Sequence, residues 1–495
     1  MVHVAMKHDK SMSGKPCLAK VICLTLFFGT AQAAVNWTGN AGNFYVNDTA
    51  NWSGSVWNQA LCIIDSQPGQ RLTIKPGNGS FFGGAELDYS GAFAVTNDFG
   101  AGNTLADVGP QKTLGYSMRI TDGAQLVQIS GGIEANGVSN YKGTYIMDDS
   151  RFTIDGSDSS FYQKKGSVWL YANGGDTTVC PKLFVRNGAS LTVNTSLIVG
   201  GYANNVSAYA CVTGQGTTLT ASVFTIGDNG DSAVLARTNL LRIADSATAT
   251  ASTVNVGGNS SHAVLEVDGG RLDVSDKISV GVSGRAATSN CVLRVADGTL
   301  NYGTIYLYCD GNELDFSNAA VTGTRIEMNR SSAIRLFNAH LTIPSGIFMM
   351  GDGDGSIAAN NALKRDIYVG GTDTWVKVTA SNGFWVRGSN TTIRVHVPAE
   401  GFSTNHPVFD LNKIVYGSAA HRLRMEVTAE KPLAQADGVW YTLFRCSGFA
   451  DSAYSDQMEW IVPESDLVKI EIDKSVGNEV RIRVRRKIGC TLIFR

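Results

Sequence analysis

The sequence predicts an all-β chain built as a single-stranded parallel β-helix, and three observations carry that prediction. A unit of about two dozen residues recurs through the middle of the chain, in the size range of solenoid coils. One copy reads Val292-Leu293-Arg294-Val295, a turn at Asp297-Gly298, Thr299-Leu300-Asn301-Tyr302, then Ile305-Tyr306-Leu307-Tyr308. Another reads Val264-Leu265-Glu266-Val267, Gly269-Gly270, Arg271-Leu272-Asp273-Val274, then Ile278-Ser279-Val280-Gly281. Glycines close successive third strands at Gly200, Gly227, Gly257 and Gly281, at intervals of 27, 30 and 24 residues. Apolar and polar residues alternate with the two-residue period of strands, and the 3.6-residue period of an amphipathic helix is missing. Each coil should hold three short strands, with coils about 4.8 Å apart and, by the chirality of parallel crossovers, a right-handed winding.

From the N-terminus, residues 1–33 read as an export signal. Lys15 and Lys20 supply positive charge, Val21 to Phe28 an apolar run, and Ala31-Gln32-Ala33 the small-x-small pattern that places cleavage after Ala33. Met12 is an alternative start to Met1, leaving a signal of ordinary length. The apolar run is shorter than the roughly 20 residues of a membrane helix, no cysteine follows the junction to take a lipid, and no later segment could span a bilayer as a helix. The rest exceeds one compact domain, a limit solenoids escape because each coil buries its core only against its neighbours. Fifty-five glycines, 17% charged and 43% hydrophobic residues describe short strands and tight turns rather than disorder. A net charge of −2 gives no electrostatic case for nucleic acid or an anionic membrane.

Residues 34–80 form a distinct opening in which Trp37, Trp52 and Trp57 lie on Gly/Asn-rich turns. They are expected to cap the first coil, whose open end is an aggregation-prone edge; stacking on carbohydrate is their alternative role. Residues 81–395 carry the repeats, with turns at Asp122-Gly123, Asn187-Gly188, Asp297-Gly298 and Asn338-Ala339, whose first residues tolerate left-handed geometry. Residues 396–495 hold longer, more loosely spaced strands around Pro398, Pro407, Pro432 and Pro463, expected to form a C-terminal β-sandwich-like domain packed on the last coil.

Asn36-Trp37-Thr38-Gly39, Phe44, Asp48-Thr49-Ala50-Asn51-Trp52-Ser53-Gly54 and Ile63-Ile64-Asp65 together resemble the opening segment of the autotransporter-associated β-strand repeat proteins. Trp440-Tyr441-Thr442-Leu443-Phe444 resembles a strand near their C-terminal end. The resemblance implies an exported bacterial β-helical passenger, secreted or displayed at the cell surface. One departure stands out: a self-transporting member ends in a membrane barrel of many strands of about 10 residues, for which residues 396–495 leave no room. The expectation is a passenger lacking the translocator barrel.

Chemistry is sparsely signalled. The densest charged stretch is Asp148-Asp149-Ser150-Arg151, Asp155, Asp158 and Lys164-Lys165, where paired carboxylates could act as acid and base or hold calcium, against the plainer reading of a solvated coil edge. Gly351-Asp352-Gly353-Asp354-Gly355-Ser356 fails the twelve-residue calcium loop, with Ile357 and Leu363 at the positions that want glycine and glutamate. His262, His340, His396, His406 and His421 are isolated, without metal-ligand spacing. Cys62, Cys180, Cys211, Cys291, Cys309, Cys446 and Cys490 are odd in number and scattered, as small buried hydrophobes are, with one or two bridges the alternative in an oxidising compartment. In Arg481-Ile482-Arg483-Val484-Arg485-Arg486-Lys487, Ile482 and Val484 should face a core and the arginines solvent, against an anion-binding patch.

The sequence therefore names no catalytic, cofactor or metal residue. It predicts an exported, non-catalytic surface or adhesin-like protein with a glycan or cell-surface partner. A β-helix polysaccharide lyase or glycoside hydrolase, or a glycan-binding fibre, are the alternatives. A groove of clustered acids and bases would favour the enzyme; a ladder of Thr, Ser and Asn would favour the structural protein.

Overall fold

The computed structural model describes residues 35–38, 40–41, 49–54, 61–65, 70–72, 86–90, 94–98, 104–107, 117–121, 124–130, 132–134, 144–147, 151–171, 180–201, 207–228, 238–258, 262–282, 289–351, 357–429, 437–446, 457–463 and 468–487. Two expectations, the export signal and the Asp148-Asp149-Ser150 turn, lie outside them. So do Asp122-Gly123, Trp57, residues 352–356 and Cys490. Residues 34–495 form one compact unit.

The described chain is nearly all strand, arranged in long parallel sheets, as a β-solenoid requires. Each coil adds one strand to each of three stacks. A 16-stranded sheet is the first stack, running from Val35–Asn36 through strands such as Lys182–Arg186, Leu240–Ala244 and Val292–Ala296 to Met458–Ile461. The second and third stacks share a sheet because single long strands, among them Ser190–Gly201, Arg271–Val280 and Thr299–Leu307, bend from one to the other. The bend is recorded in the pairing: register shifts between Val193 and Ser196 and between Val274 and Lys277, where extra residues turn the corner.

The alternation read from the sequence explains the interior. Leu265, Leu293, Leu314 and Ile334 of the first stack, and Leu272, Leu300, Val321 and Leu341 of the second, lie in register on successive coils and are fully buried. At the turns, Asn187, Asp297 and Asn338 have positive φ, as their residue types suggested. The glycines closing the third strands adopt φ between 77° and 80°.

At Gly281 a second reason for glycine appears. A Cβ there would lie 2.4 Å from the amide nitrogen of Asn312. Asn312 is fully buried, accepting from the Cys291 N–H at 2.9 Å and donating to the Val280 carbonyl at 2.8 Å. Asn239 repeats the arrangement, accepting from the Ala208 N–H while crowding Gly200. Asn312 opens an in-register buried row continued by Ser332, Arg365 and Thr391. These side chains answer backbone groups left over where the third strand turns into the next coil. Arg365, the largest fully buried side chain, donates from Nε to the Met328 carbonyl at 2.6 Å and from Nη2 to Asn360 Oδ1 at 2.9 Å.

Parallel pairing continues past residue 395. Thr391–Val397 pairs with Leu423–Ala429, which pairs with Met458–Ile461. What changes there is loop length: Val292 sits opposite Glu313, an offset of 21, whereas Arg424 sits opposite Glu459, an offset of 35. Antiparallel pairing enters with Glu479–Arg486, which lies between Trp440–Cys446 and Val468–Val476. The one α-helix among the described residues, Ile357–Ala362, was not foreseen. No helix among them is long and apolar enough to cross a membrane, which says nothing of a β-barrel.

Candidate functional site

Outward positions of the first stack form a row along the stacking direction: Arg242, Glu266, Arg294, Asp315, Arg335, Tyr368, Arg394 and Glu426. Stacking brings opposite charges about 4.8 Å apart along this row. Glu266 is shared between Arg242 at 3.4 Å and Arg294 at 3.6 Å; Arg294 also reaches Asp315 at 3.1 Å, and Arg394 reaches Glu426 at 3.0 Å. Tyr368 lies between Arg335 and Arg394, whose guanidinium carbons stand 4.5 and 5.4 Å from its ring centre. This face spends its charges on itself.

The second stack differs. From Thr192 to Thr342 its outward row reads Thr192, Thr220, Thr250, Asp273, Asn301, Thr322 and Thr342, and only beyond that does it turn charged, with Lys377 and Asp410. Where the strands bend toward the third stack, the corner leaves a groove of about 430 Å³. Thr250, Asp273, Ser275, Asn301, Thr322 and Thr324 line it. Asp273 accepts from Arg271 Nε at 2.8 Å and from Asn301 Nδ2 at 2.7 Å, so its charge is already met. Tyr302, which also lines the groove, is buried, and its hydroxyl has no hydrogen-bond partner in the protein. Burial pushes its pKa up, so it stays protonated, able to donate and accept. Gly323 on the next coil makes the ring's position available: a Cβ there would fall 2.3 Å from it.

A larger groove, about 580 Å³, lies near the C-terminal strands between Asp410, Arg445 and Glu479. Glu479 is clamped by Arg445 at 3.2 Å and Arg481 at 3.1 Å. Burial raises its pKa, but these guanidinium groups outweigh burial and leave it lowered, so it is a poor proton donor.

The described part of the charged stretch singled out in the sequence, from Arg151 on, makes local contacts. Asp155 accepts from Arg186 Nε at 2.8 Å and Asn187 Nδ2 at 2.7 Å, Arg151 sits over the Phe184 ring, and Asp158 occupies a positive-φ turn. Trp37 and Trp52 are buried against each other edge to face, centroids 5.2 Å apart, and offer no open face to a sugar. Ile482 and Val484 are fully buried as expected. The arginines between them are engaged: Arg483 covers Trp440 and pairs with Glu471, whose pKa hydrogen bonds from Lys469 and Arg483 lower to about 2. Cys211, Cys291, Cys309 and Cys446 are buried and Cys180 is half-buried.

Two of the histidines are not isolated. His340 Nε2 and His406 Nε2 meet the two oxygens of one carboxylate, Asp373, at 3.0 and 2.9 Å, and the His340 ring stacks on Trp375 with centroids 5.0 Å apart. Burial pulls the Asp373 pKa up, but the histidine hydrogen bonds prevail and it is lowered. Both histidines stand 33 residues from Asp373, one coil below and one above, and that equal spacing was the available signal. Among the described residues, no group of three or more His, Cys, Asp or Glu is arranged to hold a metal ion.

No protein-family model matches this chain, and no curated protein matches it.

Proposed function

We propose that this chain is an exported, non-catalytic β-solenoid that serves as an adhesin-like structural protein at the cell surface. One observation carries the reading: the first face pairs its carboxylates with guanidinium groups of adjacent coils, while the second presents hydroxyls and amides in register. Acid and base catalysis needs carboxylates free to exchange protons, and Glu266, Asp155 and Glu479 are held in ion pairs. The finer architecture belongs to the same proposal: a right-handed winding, the Trp37 and Trp52 pair as an N-terminal cap, and residues 396–495 as a C-terminal β-sandwich-like domain. So does kinship with the autotransporter-associated repeat proteins, supported by the Asn36-Trp37 and Asn51-Trp52 segments.

Fractionation of the producing cell tests this reading. The protein is expected in the medium or at the surface, open to added protease, with Ala34 as its first residue. Recovery from the cytoplasm with residues 1–33 intact would refute export.

A further inference from the structure

We propose that the groove beside Asn301 and Tyr302 binds an extended, uncharged glycan chain along the solenoid axis; this rests on the surface-protein reading and names its ligand. Four features select the occupant. The groove runs from Thr250 to Pro344 across five coils, a length of about 20 Å at the strand spacing, and so fits a linear polymer better than a compact metabolite. Its polar groups are the hydroxyls of Thr250, Ser275, Thr322 and Thr324 and the amide of Asn301, which suit hydroxylated sugars. Its one charged side chain, Asp273, is neutralised by Arg271, so neither a polyanion nor a cation is drawn in. Backbone groups of these strands are engaged in the ladders to both adjacent coils, which leaves no edge for a peptide to extend.

The repeat also matches: neighbouring Thr, Asp, Asn and Thr side chains recur at about 4.8 Å, close to one pyranose unit, so successive sugars meet successive coils.

Calorimetric titration of the full exported protein with cellohexaose, xylohexaose, mannohexaose and hexagalacturonate tests the assignment. At least one neutral hexasaccharide should bind, and the hexagalacturonate at least tenfold more weakly. Thr322→Trp, which fills the groove from an exposed position, should weaken binding at least tenfold. Thr192→Trp, on the same row outside the groove, should leave it unchanged. Absence of binding by all three neutral sugars, tighter binding of the acidic one, or equal effects of Thr192→Trp and Thr322→Trp would overturn the proposal. A surface-located protein that binds none of them defeats the groove alone; a hexasaccharide bound there and shortened defeats the non-catalytic reading and leaves the groove standing.

Discussion

The first and second stacks share one interior and carry opposite surfaces. On the first, Arg242, Glu266, Arg294 and Asp315 alternate in charge from coil to coil. On the second, Thr220, Thr250, Asn301 and Thr322 repeat with Asp273 as the only charge among them, tied to Arg271. In a parallel solenoid each outward side chain has a same-face neighbour above and below, so a row of like charges would repel along its whole length. Alternation is one solution and neutrality the other. The first consumes its polar groups internally; the second leaves them available to a ligand.

The largest perturbations should be blind to this difference, because they act beneath both faces. Phe316→Ala under the charged row and Leu300→Ala under the neutral one remove fully buried side chains, and each should cost about 3–5 kcal/mol in denaturant unfolding. A large disparity would mean that the stacks do not share one close-packed core. Asn312→Ala should come next. It strips the Cys291 N–H and the Val280 carbonyl of their partner, at about 1–3 kcal/mol. Its effect on hydrogen exchange should centre on the coils at Val264–Asp268 and Val292–Ala296.

Charge substitutions should separate the faces. Glu266→Lys places three cations in sequence along the first row and should destabilise by about 1–2 kcal/mol at low salt, shrinking as ionic strength rises. Thr250→Lys on the second row should change stability by less than about 0.5 kcal/mol. Equal effects at the two sites would show that the alternating row is incidental.

The smallest expected effects are in pH. His421 is buried, and burial first, then the charges of Arg387 and Arg365, lower its pKa. A histidine held neutral in the fold and free to protonate when unfolded stabilises above its unfolded pKa. Stability should therefore decline as pH falls below about 6.5, and His421→Gln should flatten that slope. Asp373, with its lowered pKa, contributes only above its unfolded value, and that contribution should be lost below about pH 4. Its exposed carboxylate keeps the loss small. A scan in which His421→Gln and Asp373→Asn each leave the acid limb unchanged would assign it elsewhere.

Local signals were legible in the sequence and remote ones were not. Alternation in Val264-Leu265-Glu266-Val267 fixed which side chains turn inward, and Asn187, Asp297 and Asn338 marked left-handed turns, because strand period and turn chemistry act over a few residues. The row from Arg242 to Glu426 was hidden because coil length varies between offsets of 20 and 33, so no single period aligns it. The groove was equally hidden: Tyr302 and Gly323 read as an ordinary strand end until stacking sets one over the other. His340, Asp373 and His406 were recoverable in principle from their equal spacing. The loss of regular spacing after about residue 390 reads as a change of domain, whereas parallel pairing persists to Met458–Ile461 with longer loops between.

The most direct test of the central claim is product analysis. Purified protein would be incubated with neutral and acidic polysaccharides, with and without calcium, and scored for chain shortening by mass spectrometry. The account predicts retention of a neutral glycan and no shortened product. Shortened chains, abolished by Asp410→Ala or by Asp148→Ala, would contradict it and make the protein an enzyme.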